Sequence, residues 1–151
     1  MADGTDPHRR GDNVLRWQAL YKILSVCMAI AFVVVGLLFL AGSDTVLRFF
    51  NDLSQPLGLE EAPTDSVNFY LILAGGYMYL VTLLAVLMAR FPENRHFPLL
   101  LMNGKLASSG LSFVFLLAHR AYLIYLVNGV VDGLIGFIVL LMYLKQRRIV
   151  A

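Results

Sequence analysis

Four long runs with almost no charge constrain this chain more than any other feature. Residues 23–43 and 66–89 carry no formal charge, and residues 97–118 and 121–144 carry one each, Lys105 and Asp132. Each run reaches the roughly 20 residues that an α-helix needs to cross about 30 Å of hydrocarbon. A soluble helix of that length needs a polar face, and the first two runs have none. Composition agrees: of 151 residues, 59% are hydrophobic and only 15% charged, against about a quarter charged in soluble domains. The sequence therefore predicts an all-α membrane protein, an antiparallel bundle of four transmembrane helices spanning about 18–43, 66–89, 97–118 and 121–144.

Basic residues bias loops toward the cytoplasm. Arg9, Arg10, Arg16 and Lys22 precede or open the first run, Arg90 and Arg95 lie between the second and third, and Lys145, Arg147 and Arg148 follow the fourth. The alternate loops hold only Arg48 and Arg120. Both termini are expected in the cytoplasm, in a multi-pass protein of a bacterial-type inner membrane. The basic residues mark membrane boundaries, and no basic patch interleaved with aromatics suggests a nucleic-acid partner. Trp17, Tyr21, Tyr70, Tyr122 and Tyr143 lie near run ends, where interfacial aromatics belong.

The order of segments predicts a flexible tail over 1–13 and a single domain over 14–151, with Asn13 as the cap of a first helix opening near Val14. The first run is expected to remain as an uncleaved span. The outside loop, 44–65, is acidic, and its SDTVLRFFNDL stretch suggests a separate short helix capped by Ser43 or Asp44. Its Val46, Leu47, Phe49, Phe50 and Leu53 form an apolar surface that suits either the membrane interface or a lid over the bundle. Gln55-Pro56-Leu57-Gly58 should end that helix, and Thr64 or Asp65 should cap the second span. The third and fourth runs, joined at His119 and Arg120, form a helical hairpin.

Hairpin counting pairs the two intramembrane charges. Lys105 lies about 14.5 residues before the hairpin centre and Asp132 about 12.5 after it, a depth mismatch of roughly 3 Å at helical rise. Lone charges at that depth are costly and usually face the interior and pair, so an ion pair is expected. Helical spacing places Lys105, Ser108, Ser109 and Ser112 on one face and Tyr125, Asn128, Asp132 and Gly136 on the other. Gly104, with Ser108 and Ser112, and Gly129 with Gly133 allow close helix approach, as do Gly75 and Gly76 in the second run. This polar seam either holds the bundle together, lines a pocket for a lipophilic ligand or a proton path, or meets a partner subunit.

Catalytic chemistry finds little support. Cys27, taken as a buried and inert thiol, is the only cysteine, and no clustered His, Cys or carboxylate set matches a metal site. His96 and His119 lie at opposite ends of one helix, about 35 Å apart at helical rise. The serines have no neighbouring histidine base, and no phosphate-binding glycine loop occurs. No catalytic residue, metal or cofactor is assigned, and an enzyme is not expected.

The order of a basic junction, an apolar span, an amphipathic outside segment, a glycine-containing span and a hairpin bearing NGKLASS and NGVVDGLIG resembles the small four-helix bacterial membrane proteins grouped as DoxX-like. The resemblance covers residues 20–144 as a pattern, nearest at Gly104-Lys105-Leu106 and Asp132. It implies an accessory subunit, and for some members a quinone partner. The leading expectation is a non-catalytic accessory or scaffold subunit that associates in the lipid bilayer with another membrane protein or with itself. A quinone- or lipid-binding protein comes second and a small transporter third.

Overall fold

The computed structural model describes residues 7–63 and 68–150. Four α-helices, α1 (Pro7–Ser54), α2 (Asn68–Arg90), α3 (His96–Ala118) and α4 (Leu123–Val150), account for most of them. All four are long and apolar enough to cross a membrane. Their outward faces are apolar along much of their length, with Ile30, Leu37, Ile72, Leu111 and Leu134 all more than half exposed. Such a surface suits hydrocarbon and not water.

Several helical hydroxyls and amides bond to their own helix, as suits lipid, where no water completes a hydrogen bond. Ser25 Oγ donates to Tyr21 O, Thr82 Oγ1 to Met78 O and Asn103 Nδ2 to Leu99 O, each one turn back and at 2.7–2.8 Å.

Helix α1 differs from expectation at its start. It runs back to Pro7, so Asn13 lies within the helix and not at its first residue, while residues 1–6 of the expected tail lie outside the described residues. The stretch expected as a separate short helix follows a break at Gly42, whose φ of −142° and ψ of 36° are not helical, so two helical segments meet there at a kink. A glycine lets the backbone depart from helical geometry with little steric cost. At 48 residues, a straight α1 would measure about 70 Å, far beyond a bilayer core.

After Ser54 a single 3-10 turn, Gln55–Leu57, ends at Gly58, whose φ of 66° falls in the left-handed region that glycine favours. Asn51 then clamps the returning chain, donating from Nδ2 to Ala62 O at 2.9 Å and accepting from Ala62 N at 2.8 Å. The proposed caps Thr64 and Asp65 lie outside the described residues.

The helices form two hairpins, since α1 packs most closely on α2 and α3 on α4. A compact apolar core joins them at the end that carries the termini: Trp17, Tyr21, Ala29 and Phe32 of α1, Val81, Ala85 and Met88 of α2, Leu101 of α3, and Val139 and Met142 of α4. Trp17 and Tyr21, expected at the interface, are buried there instead. The Trp17 Nε1–H donates to Gln146 Oε1 at 2.9 Å, and Gln146 Nε2 donates to Pro92 O at 3.1 Å. An indole close to a terminus is placed inside the bundle by α4 and by the α2–α3 connection, neither of which is visible from its local spacing. Cys27, expected to be buried, faces outward.

Candidate functional site

Lys105 and Asp132 meet as the hairpin count predicts. Lys105 Nζ lies 2.8 Å from Asp132 Oδ1, and the two residues are only 2% and 4% exposed. At that separation the pair is a charge-assisted hydrogen bond. Two aromatic faces complete the cation's surroundings, Phe32 of α1 at 4.7 Å from Nζ to the ring centroid and Tyr77 of α2 at 5.1 Å. Both distances suit cation–π attraction. All four helices therefore converge on one ammonium group, which α3 supplies, α4 neutralises and α1 and α2 flank.

The predicted seam forms around this pair. Asn128 Nδ2 donates to Ser112 Oγ at 2.8 Å and to Ser108 Oγ at 3.3 Å, and Ser109 Oγ donates to Gly129 O at 2.7 Å. Tyr77 donates from its hydroxyl to Gly104 O at 3.3 Å. Tyr125 lies among aromatic neighbours, 5.9 Å from Phe115 and 5.3 Å from Tyr122 between ring centroids.

The glycines divide into two groups. A Cβ at Gly133 would meet Ser109 Oγ at 2.9 Å, one at Gly136 would meet Leu106 Cδ2 at 2.9 Å, and one at Gly129 would meet the Phe113 ring at 3.1 Å. These three let α4 press against α3. Gly75 plays the same part in the other hairpin, with Leu40 at 3.1 Å, and so does Gly36, whose added Cβ would meet Met78 Cβ at 3.1 Å. Gly36 went unnoticed in the sequence because the residues four before and four after it, Phe32 and Leu40, make no small-xxx-small series with it. Gly104 and Gly76, expected at packing contacts, face open space, with nothing within 4 Å of an added Cβ. Both lie on the same helices as true contact residues but point elsewhere.

The seam is open on one side. A cavity of about 510 Å³ lies between the hairpins, lined by residues 31–40 of α1, 71–78 of α2, 105–112 of α3 and 124–135 of α4. Lys105, Asp132, Asn128, Ser108, Ser112, Tyr77 and Tyr125 supply its polar wall, and Val35, Phe39, Leu40, Leu71 and Ile124 are among the apolar remainder. A second, more open groove of about 450 Å³ runs along α3 past Gly104, Ala107 and Leu111. It shares Tyr77, Ser108, Ser112 and Tyr125 with the cavity.

At the end away from the termini, the returning loop of α1 reaches the tip of the other hairpin. Arg120 Nη1 lies 2.6 Å from Glu60 Oε2, and Glu60 pairs with Tyr122 through an isolated backbone bridge. The hydrogen bond to Glu60, reinforced by its charge, holds the Arg120 guanidinium above its ordinary pKa. Neither side chain is buried. Sequence reasoning placed these residues in separate loops and gave no sign that they meet.

Comparison of the chain with protein-family models, with curated proteins and with solved structures gives no match.

Proposed function

We propose that this chain is a multi-pass membrane protein that binds a lipophilic molecule, such as a quinone or a lipid, in the cavity between its two hairpins. The observation that carries this reading is the cavity itself. Its volume of about 510 Å³ falls within the roughly 300–1,000 Å³ of small-molecule sites, and its mostly apolar walls with a few convergent polar groups have the character of such sites. A seam serving only to hold helices together has no need of a void beside its ion pair, because voids forfeit packing contacts.

The arrangement supports binding and not turnover: a lysine and an aspartate held against each other offer neither a free nucleophile nor an unoccupied base. Both termini face the cytoplasm of a bacterial-type inner membrane, as the distribution of Arg and Lys favours. The stretch beyond Gly42 lies along the opposite surface with Phe49 and Leu53, both exposed, directed at the interface.

Extraction into lipid nanodiscs and native mass spectrometry test the proposal. The protein should retain a small molecule, and Ala74→Phe, which projects a ring from the cavity wall, should release it while still folding, with a melting temperature lowered only by the lost ligand. A bare protein under both conditions would overturn the reading. Stoichiometric retention of a second polypeptide with no small molecule would favour the accessory-subunit reading instead.

A further inference from the structure

The electrostatics of the cavity restrict the head of the molecule it takes. Among the described residues lining it, Lys105 and Asp132 are the only two that carry formal charge. They neutralise each other at 2.8 Å, and the cation is further screened by the rings of Phe32 and Tyr77. The wall thus offers hydrogen-bonding groups and no net charge.

An ionised head entering this space would leave its own charge uncompensated among apolar surroundings, or would have to break the pair to claim one partner and strand the other. Both outcomes are costly in a low-dielectric site. A hydroxyl, carbonyl or amide meets neither obstacle. A hydroxyl or an amide can donate toward the carboxylate of Asp132 or the side-chain carbonyl of Asn128, and all three heads can accept from the hydroxyl of Tyr125, residues that line the same cavity. Its chain would lie along Val35, Phe39, Leu40 and Leu71, or leave past Tyr77 and Tyr125 into the groove on α3.

We infer that the cavity selects uncharged lipophiles with a hydroxyl, carbonyl or amide head and discriminates against ionised amphiphiles bearing the same chain. This rests on the binding reading above and specifies its ligand class.

Four photoreactive hexadecyl probes separate the possibilities in phosphatidylcholine nanodiscs: the alcohol, the sulfonamide, the sulfonate and the trimethylammonium. Sulfonamide and sulfonate are nearly isosteric, so their comparison isolates charge from size. Crosslinks mapped by peptide mass spectrometry to the segments containing Phe39, Leu71 and Tyr125 should be about tenfold more abundant for the two neutral probes than for the two ionised ones, a difference of about 1.4 kcal/mol. Equal labelling by all four would leave the binding reading standing and overturn the selectivity. A preference for either ion would overturn it as well. If no probe labels the cavity, the binding reading fails and this inference falls with it.

A variant sharpens the outcome. Asp132→Asn removes the negative partner and should move the ranking toward the sulfonate, whereas an unchanged ranking in the folded variant would show that the ion pair does not set the preference. If that variant does not fold, the ranking in the parent protein decides alone.

Discussion

The half of the bundle that carries the termini and the half that carries the loop from α1 are built from the same four helices yet packed differently. In the first, Tyr21, Met88, Leu101 and Val139 are completely buried, and a hydrogen-bonded chain from Trp17 through Gln146 to Pro92 ties α1, α4 and the α2–α3 connection together. In the second, the hairpins part around the cavity, and among the described residues the exposed Glu60–Arg120 pair and the backbone bridge from Glu60 to Tyr122 connect their tips. The Lys105–Asp132 pair lies at the boundary, with Phe32 belonging to both the core and the cavity wall. One half therefore fixes the relative position of the hairpins, which frees the other from having to fill its interior. The binding site proposed above depends on that division.

The boundary pair gives the largest expected effect. Lys105→Met leaves Asp132 buried without its partner and should destabilise the bundle by about 3–5 kcal/mol, the range for stranding one member of a buried pair. Lys105→Met combined with Asp132→Leu removes both charges and should return stability to within about 1 kcal/mol of the parent, since apolar replacement of a buried pair is often neutral. Reversible unfolding in mixed detergent measures the parent, Lys105→Met, Asp132→Leu and the double variant. Additive single effects would show that the two residues act independently. A stable double variant that has lost its bound molecule would assign the pair to the site and not to the scaffold.

Next comes a direct contrast between the halves. Leu101→Ala opens a void in the packed half, where the side chain is fully buried, and should cost about 2–5 kcal/mol. Val35→Ala trims a cavity wall that is already 42% exposed and should cost no more than about 0.5 kcal/mol. Equal losses would mean that the cavity half is as tightly packed as the core. Glycine substitutions sharpen the contrast within the α3–α4 hairpin. Gly136→Ala forces a methyl against Leu106 and should cost about 1–3 kcal/mol by overpacking, whereas Gly104→Ala points into open space and should lie within about 0.5 kcal/mol of the parent.

Features set by periodicity within one hairpin were legible from the residues alone. A short turn at His119 and Arg120 fixes the register of α3 against α4, so depth could be counted and Lys105 matched to Asp132, and the 3.6-residue repeat placed the serines opposite Asn128. What stayed hidden depends on how the two hairpins dock, which no local repeat encodes. Phe32 and Tyr77 around the Lys105 ammonium and Gln146 against Trp17 each join one hairpin to the other, and none belongs to a polar or small-residue series. The break at Gly42, by contrast, was legible locally: the capping pattern at Ser43 and Asp44 marks a helical segment that opens directly after a glycine with non-helical backbone angles. Exposure was opaque: in a run that is apolar all round, nothing in the sequence of α1 distinguishes the buried Tyr21 from the outward-facing Cys27.

The smallest effect should come from the one ionic contact that closes the open half. Glu60 and Arg120 are about half and two-thirds exposed, and exposed pairs contribute little because water screens them and two long side chains must be held still. The hydrogen bond to Glu60 and the charge of that carboxylate hold the Arg120 guanidinium above its ordinary pKa. A group whose folded pKa is raised contributes stability that is fully present below its unfolded pKa, so the arginine side of the contact adds no pH dependence between pH 6 and 9 within its reach. Glu60→Gln should therefore lower the melting temperature only slightly, by the same amount across that range, and the difference should vanish as salt shortens the screening length from about 10 Å at 0.1 M to about 3 Å at 1 M. A large, salt-insensitive loss would show instead that the loop clamps the hairpin tips together. The open half would then be held as firmly as the packed one, with a ligand able to enter only laterally, past Tyr77 and Tyr125.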